Sequence, residues 1–292
     1  MPEWTDIARQ LSEATRTAFT PREQRPVSGG CINRAYVIGD GRRRYFVKLN
    51  DAAAVDMFAA EAEGLEAIIQ SGTVRVPRPW CWGVSGREAF IALDYLDFTG
   101  RSGGDAELGE RLAAMHRHTR TRYGWHRDNT IGATPQINTE EDDWVTFWSR
   151  HRLKWQLDLA AGKGYGGNLQ RLGERCLAAL PAWFRGYSPP ASLLHGDLWS
   201  GNYAFTAAGP AVFDPAVYYG DRETDLAMTE LFGGFAPDFY AAYRAAYPLD
   251  AGYSVRKTLY NLYHVLNHLN LFGGGYRSQA ENMLARLLSE MT

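Results

Sequence analysis

Cysteine is scarce. The chain of 292 residues has three, Cys31, Cys81 and Cys176, odd in number and far apart. That is no disulfide framework, and without a CxxC pair there is no zinc-site spacing either. An excess of one charge is also lacking. Lys and Arg number 31 against 33 Asp and Glu, a net charge of −2, which excludes a broad basic face for nucleic-acid phosphates. No run approaches the roughly 18 consecutive apolar residues that suggest a membrane helix. The N-terminal segment carries Glu3 and Asp6 rather than a basic stretch followed by an apolar one. Internal repeats and low-complexity linkers are absent. Together these absences predict a soluble cytoplasmic protein with neither nucleic acid nor membrane as partner. Hydrophobic residues make up 45% of the chain, enough for a chain this long to bury a core without staples.

What is present falls into two parts. Apolar residues Ile7, Leu11, Ala14 and Ala18 predict a helix over 3–19. Strands follow at Ala35–Ile38 and Arg44–Leu49, joined by Gly39-Asp40-Gly41, then a helix over 54–70 closed by Gly72, then strands Trp80–Val84 and Glu88–Leu93. Beyond about residue 97 the pattern is mostly helical, with helices near 105–120, 141–160, 167–184, 223–232, 236–246, 253–271 and 277–290. The fold class is therefore α+β. A small antiparallel sheet with one main helix occupies 1–95, and a larger, mostly helical part occupies 96–292.

The segment His195-Gly196-Asp197-Leu198-Trp199-Ser200-Gly201-Asn202 follows an apolar pair, and Asp214 comes twelve residues after Asn202. This is a phosphotransfer layout. One carboxylate, Asp197, orients the attacking hydroxyl and accepts its proton. Two hard oxygen donors, Asn202 and Asp214, suit Mg²⁺. The smaller part supplies matching pieces. The turn Ser28-Gly29-Gly30-Cys31 can aim backbone N–H groups at phosphate oxygens. Lys48, on the third strand, reaches phosphates, and a glutamate on the following helix aims it. Glu61 is the preferred candidate over Glu63, because it shares a face with Met57 and Ile68. The chain order of all these parts makes the signal specific.

The chain resembles the fructosamine/ketosamine kinases, within the kinase-like small-molecule phosphotransferases that include aminoglycoside and choline kinases. The resemblance is carried by Gly29–Asn33, Phe46-Val47-Lys48, Met57–Glu61, His195–Asn202, Asp214–Gly220 and Tyr263–Gly273, and it runs from about residue 7 to the C-terminus. It implies a two-lobed protein-kinase-like fold with ATP between the lobes. It also implies Mg²⁺-dependent phosphorylation of the 3-hydroxyl of a ketosamine, a ribulosamine or fructosamine, free or on a protein lysine. The product releases its amine, so the reaction repairs glycation. Leu93, Asp94, Tyr95 and Leu96 would form the hinge that reads adenine. Trp199, His264, Asn267 and His268 would line the acceptor pocket.

The chain departs from kinases at Gly196, where protein kinases carry Arg, at Trp199, where they carry Lys, and at Asp221, where this family is expected to carry His. His195 reads as structural. Asp225 reads as a helix N-cap, as a brace for the catalytic loop, or as both at once. His116 and His118 carry no expected role. Cys31 would be a candidate redox site, because the phosphate turn can activate a thiol. A monomer or a homodimer fits equally. Two rival readings stand beside the main one: the same chemistry on an aminoglycoside or choline, and a nucleotide-binding pseudoenzyme.

Overall fold

The computed structural model describes residues 3–27, 32–99 and 103–290. The chain divides into two compact units, Met1–Gly104 with Ala204–Pro215, and Asp105–Tyr203 with Ala216–Thr292. The sequence predicts a single cut after residue 95. In the structure a second excursion, 204–215, returns to the first unit.

The first unit is built on a five-stranded antiparallel sheet of β1 (Glu23–Val27), β2 (Arg34–Gly39), β3 (Arg44–Asp51), β4 (Pro79–Ser85) and β5 (Glu88–Asp94), in the order β1-β2-β3-β5-β4. β1 is the extended segment ahead of the glycine turn, which the sequence leaves without bounds. It is an exposed edge strand containing Pro26, with no alternation to announce it. Helix α1 (Trp4–Thr15) buries Ile7, Ala8 and Leu11 against Ile38, Tyr45, Val47, Leu49 and Phe90. Strand period then decides where Lys48 goes. Val47 and Leu49 face that cluster, so Lys48 between them projects to the opposite side. There helix α2 (Val55–Ser71) buries Phe58, Ala62, Leu65 and Ile68. It stops at Gly72, whose φ of 65° and N–H to Ile69 O at 3.0 Å form a left-handed cap.

The 204–215 excursion is a hairpin of Tyr203–Thr206 and Gly209–Val212. It adds the short strand Phe98–Thr99 at its edge, with Phe205 opposite Thr99. Val212 N–H donates to Arg75 O at 2.9 Å. These bonds explain the division of the chain. The hairpin delivers Asp214 to the unit that holds Lys48.

The second unit contains α3 (Asp105–Met115), α4 (Trp144–Trp148), α5 (Trp155–Gly162), α6 (Asn168–Ala179), α7 (Glu223–Leu231), α8 (Pro237–Ala246), α9 (Tyr253–Phe272) and α10 (Arg277–Ser289). The strand Ala191–Leu194, wholly buried, pairs antiparallel with Tyr218–Gly220 on one side and Thr119–Arg120 on the other. That second pairing ends α3 at Met115 instead of the expected 120. The expected helix 141–160 is one run in two parts. Asp143 caps its start, accepting Thr146 N–H at 2.7 Å, and a π-helical turn over Ser149–Lys154 joins α4 to α5. The turn carries the buried guanidinium of Arg152, which donates to Ile137 O and Asn138 Oδ1 and lies 4.1 Å from the Tyr218 ring centre. The expected helix 167–184 tightens into a 3₁₀ turn at Leu180–Phe184, where Pro181 has no N–H to give. α9 is buried on nearly every side, as a central helix must be. Trp144 and Trp148 are core residues.

Candidate active site

In the first unit Lys48 Nζ lies 2.6 Å from Glu61 Oε1 and 2.5 Å from Asp214 Oδ1. Lys48 and Glu61 are nearly closed off from solvent, whereas the Asp214 side chain is 49% exposed. Burial works against the ammonium, but the two carboxylates outweigh it, so the Lys48 pKa is raised and the charge is held. Burial pushes Glu61 the other way, upward, against the pull of Lys48. Two carboxylates around one ammonium leave the cluster short of positive charge, with Asp214 the member open to solvent. Asp214 also sits at φ 57°, the left-handed region, which Asp tolerates better than most residues. Such strain is retained where a side chain must be aimed.

The segment Leu93–Leu96 follows β5. Leu93 and Leu96 are buried. Asp94 accepts Trp80 Nε1–H at 2.7 Å. The Arg44 guanidinium lies 4.4 Å from the Tyr95 ring centre and pairs with Asp97 at 2.6 Å. Ser28, Gly29, Gly30 and Cys31, the expected phosphate turn and redox cysteine, lie outside the described residues. The other two thiols, Cys81 and Cys176, are both pushed up to about 12 by burial, so neither is a ready nucleophile.

The second unit holds the loop 195–202. Asn202 is buried, and its Nδ2 donates to Asp197 O at 2.9 Å and reaches Asp197 Oδ2 at 3.4 Å. With the amide nitrogen so engaged, Asn202 Oδ1 is left as an acceptor. His195 is fully buried; its Nδ1 accepts Asp197 N–H at 3.3 Å. Gly196 has φ +83°, and a Cβ there would stand 2.1 Å from Ala216 O. This is why no arginine precedes Asp197: the backbone has room for glycine alone. The Trp199 ring lies over Gly201 and is 39% exposed.

Asp225 is not an N-cap. It is the third residue of α7, and its carboxylate accepts His195 N–H at 2.7 Å and Gly196 N–H at 2.8 Å. The brace reading is the one its geometry gives. Burial alone would raise its pKa, but a hydrogen bond from His116 and the Gly196 N–H overcome that and hold it low. His116 is the residue that sequence reasoning missed. It follows α3, is fully buried, and places Nε2 3.0 Å from Asp225 Oδ2 and Nδ1 2.7 Å from Tyr243 OH. Arg222 Nη1 donates to the same hydroxyl at 3.0 Å. The carboxylate can only accept, so Nε2 carries the proton and Nδ1 receives the tyrosine hydrogen. The relay runs from Arg222 through Tyr243 and His116 to Asp225, and from there to the loop backbone. No local motif announces it, because its partners stand 109 and 127 residues away.

Asp221 is buried, accepting Tyr260 OH at 2.6 Å, Tyr187 OH at 3.0 Å and Glu223 N–H at 3.0 Å. Beside it Glu223 pairs with Arg256 through two bonds of 2.8 and 3.0 Å. At the position where His was expected, Asp221 therefore ties the start of α7 to α9. On α9 itself, Asn267 has both ends of its amide engaged, by Gln156 at 3.3 Å and Ile131 O at 3.4 Å, so it packs the helix. His264 is 4% exposed, and burial, with His268 beside it, pushes its pKa down to about 3. His268 is half-buried.

The fructosamine kinase family model matches residues 3–290. Over 300 aligned residues the chain is 48% identical to a "Probable ketoamine kinase" of Synechocystis, covering 98% of this chain and 97% of that one. It is 42% identical to the "Protein-ribulosamine 3-kinase, chloroplastic" of Arabidopsis thaliana, over 88% of this chain and 80% of that one. Among solved structures, a "Putative fructosamine-3-kinase" from Haemophilus somnus superposes with a TM-score of 0.90 at 28% identity, covering 98% and 97% of the two chains.

Proposed function

The chain belongs to the fructosamine kinase family, and from that premise we propose that it is an ATP-dependent kinase acting on the 3-hydroxyl of ketosamines. Asp197 receives the hydroxyl proton as the sugar oxygen bonds to the γ-phosphorus. The bond from that phosphorus to the β–γ bridging oxygen breaks, and ADP leaves. Asn202 holds Asp197 in place, and the Asp225 brace fixes the loop that carries both. Lys48, aimed by Glu61, binds phosphate oxygens. Leu93–Leu96 contact adenine through the backbone.

The donor set suits Mg²⁺, because Asn202 Oδ1 and the exposed Asp214 carboxylate are hard oxygens. The ion would offset phosphate charge. Trp199 offers an exposed ring face to the sugar, and His264 and His268 line the acceptor side. Loss of the amine from the phosphorylated product makes the reaction a repair of glycated amines, free or on protein lysines. No helix among the described residues is long and apolar enough to cross a membrane, and the free thiols of Cys81 and Cys176 suit a reducing cytoplasm.

The observation that carries this reading is the Asn202 amide set on Asp197 within a loop braced by Asp225. The names of the relatives favour a ketosamine over an aminoglycoside or choline. The test is Mg²⁺-dependent ADP release with ribuloselysine, fructoselysine, choline and kanamycin. Stimulation by ketosamines alone is expected. Stimulation by kanamycin or choline alone would move the acceptor. ATP binding without any turnover would favour a pseudoenzyme.

A further inference from the structure

Among the described residues of the second unit, three large apolar side chains stand exposed, Trp199, Phe232 and Phe272. Phe272 lies within the Tyr263–Gly273 run that carries the resemblance, and Phe232 lies outside it. Phe232 follows the last turn of α7, the helix whose Asp225 holds the catalytic loop. The segment that it opens packs back on that loop. Tyr203 OH donates to Gly234 O at 2.9 Å, the Tyr203 and Phe235 rings meet at 4.5 Å, and a Cβ on Gly234 would stand 2.5 Å from Ser200 Cβ. On its other side the Phe232 ring centre is 5.1 Å from that of His268. His268 in turn lies 5.5 Å from Phe272 and 5.2 Å from Tyr276. The catalytic loop thus continues into a surface of three aromatic rings around one imidazole.

The tautomer of that imidazole in its neutral form follows from its contact with the helix backbone. His268 Nδ1 lies 2.7 Å from His264 O. A carbonyl only accepts, so Nδ1 carries the hydrogen, and in the neutral ring Nε2 is a lone-pair acceptor. Beneath it the His264 ring is 4% exposed and makes no hydrogen bond among the described residues. Ring faces and a free lone pair attract a cation that has an N–H to donate. Phe232 and Phe272, 44% and 58% exposed, add apolar area for whatever carbon chain the cation bears.

We propose that Phe232, His268, Phe272 and Tyr276 form the subsite for the amine half of the acceptor. Its ligand is a secondary ammonium bearing an alkyl or aryl substituent. One ammonium N–H donates to His268 Nε2, and the substituent lies on Phe232 and Phe272. This rests on the ketosamine reading above and extends it, since the sugar hydroxyl goes to Asp197 while the amine is sorted here.

The test compares kcat/KM for the ribulosamines of methylamine, benzylamine and Nα-acetyl-lysine, on the wild type and on Phe272→Ala and Phe272→Leu. The leucine variant keeps apolar bulk, so folding is preserved while the ring is lost. The wild type is expected to prefer the benzylamine and lysine adducts. Both variants should lower the benzylamine-to-methylamine ratio of kcat/KM, Phe272→Ala by about tenfold, through KM. A ratio unchanged in both variants, on an enzyme that still turns over ketosamines, overturns the subsite alone. A wild type that turns over none of the three adducts overturns the ketosamine reading and the subsite with it.

Discussion

Asp225 Oδ2 lies 2.7 Å from the backbone nitrogen of His195, thirty residues earlier in the chain. A single buried carboxylate on α7 thereby sets the backbone from which Asp197 projects. His116 holds that carboxylate in turn. Replacing His116 by Phe should leave Asp225 one donor short, destabilise the protein by about 1–3 kcal/mol, and lower kcat more than it raises the KM for ATP. Urea denaturation and the ADP-release assay check both. Wild-type stability together with a wild-type kcat would mean that the relay does not position the loop.

Gly196 permits no side chain. At φ +83° with Ala216 O 2.1 Å from a built Cβ, Gly196→Ala should cost at least about 2 kcal/mol and displace Asp197. A thermal melt within a degree of wild type would show that the loop relaxes without loss.

Lys48 is held by two carboxylates on different elements, Glu61 on α2 and Asp214 after the hairpin. Glu61→Gln removes one of them. The expected result is a folded protein with kcat/KM for ATP lowered about tenfold or more, while Glu63→Gln stays near wild type. If the two variants behaved alike, Glu61 would not be the aiming residue.

His264 gives stability a pH dependence of definite sign. Its folded pKa, about 3, lies below the unfolded value near 6.5. Between the two the unfolded chain binds more protons, so stability falls as pH drops below about 6.5 and levels off near 3. His116, also pushed down by burial, adds in the same direction. Denaturation midpoints from pH 7 to 5 should decline for the wild type and decline less for His264→Leu. An equally steep decline in the variant would place the acid sensitivity elsewhere.

Much of this was legible in the sequence, for physical reasons that differ from element to element. Lys48 stood out at the end of the apolar strand run Tyr45-Phe46-Val47, and Glu61 by helix period, and both signals are local. The HGDLWSGN run drew notice because a phosphoryl-transfer site calls for those residue types at close spacing. The end of α3 and the destination of 204–215 were not readable, because each is decided by pairing with distant strands, at Ala191–Leu194 and at Phe98–Thr99. Glycine at 196 was noted as a departure, but its cause, the carbonyl of Ala216, exists only in the fold. His116, with its partners on α7 and α8, was invisible for the same reason.

The most direct test of the central claim is single-turnover phosphoryl transfer from ATP to ribuloselysine, with Mg²⁺, by the wild type and by Asp197→Asn, alongside ADP binding to both. The account predicts phosphate on the 3-hydroxyl, a loss of about 10²–10⁴ in rate for the variant, and equal ADP affinity. Transfer by Asp197→Asn at the wild-type rate, or a wild type that binds ADP and never phosphorylates the sugar, would contradict it.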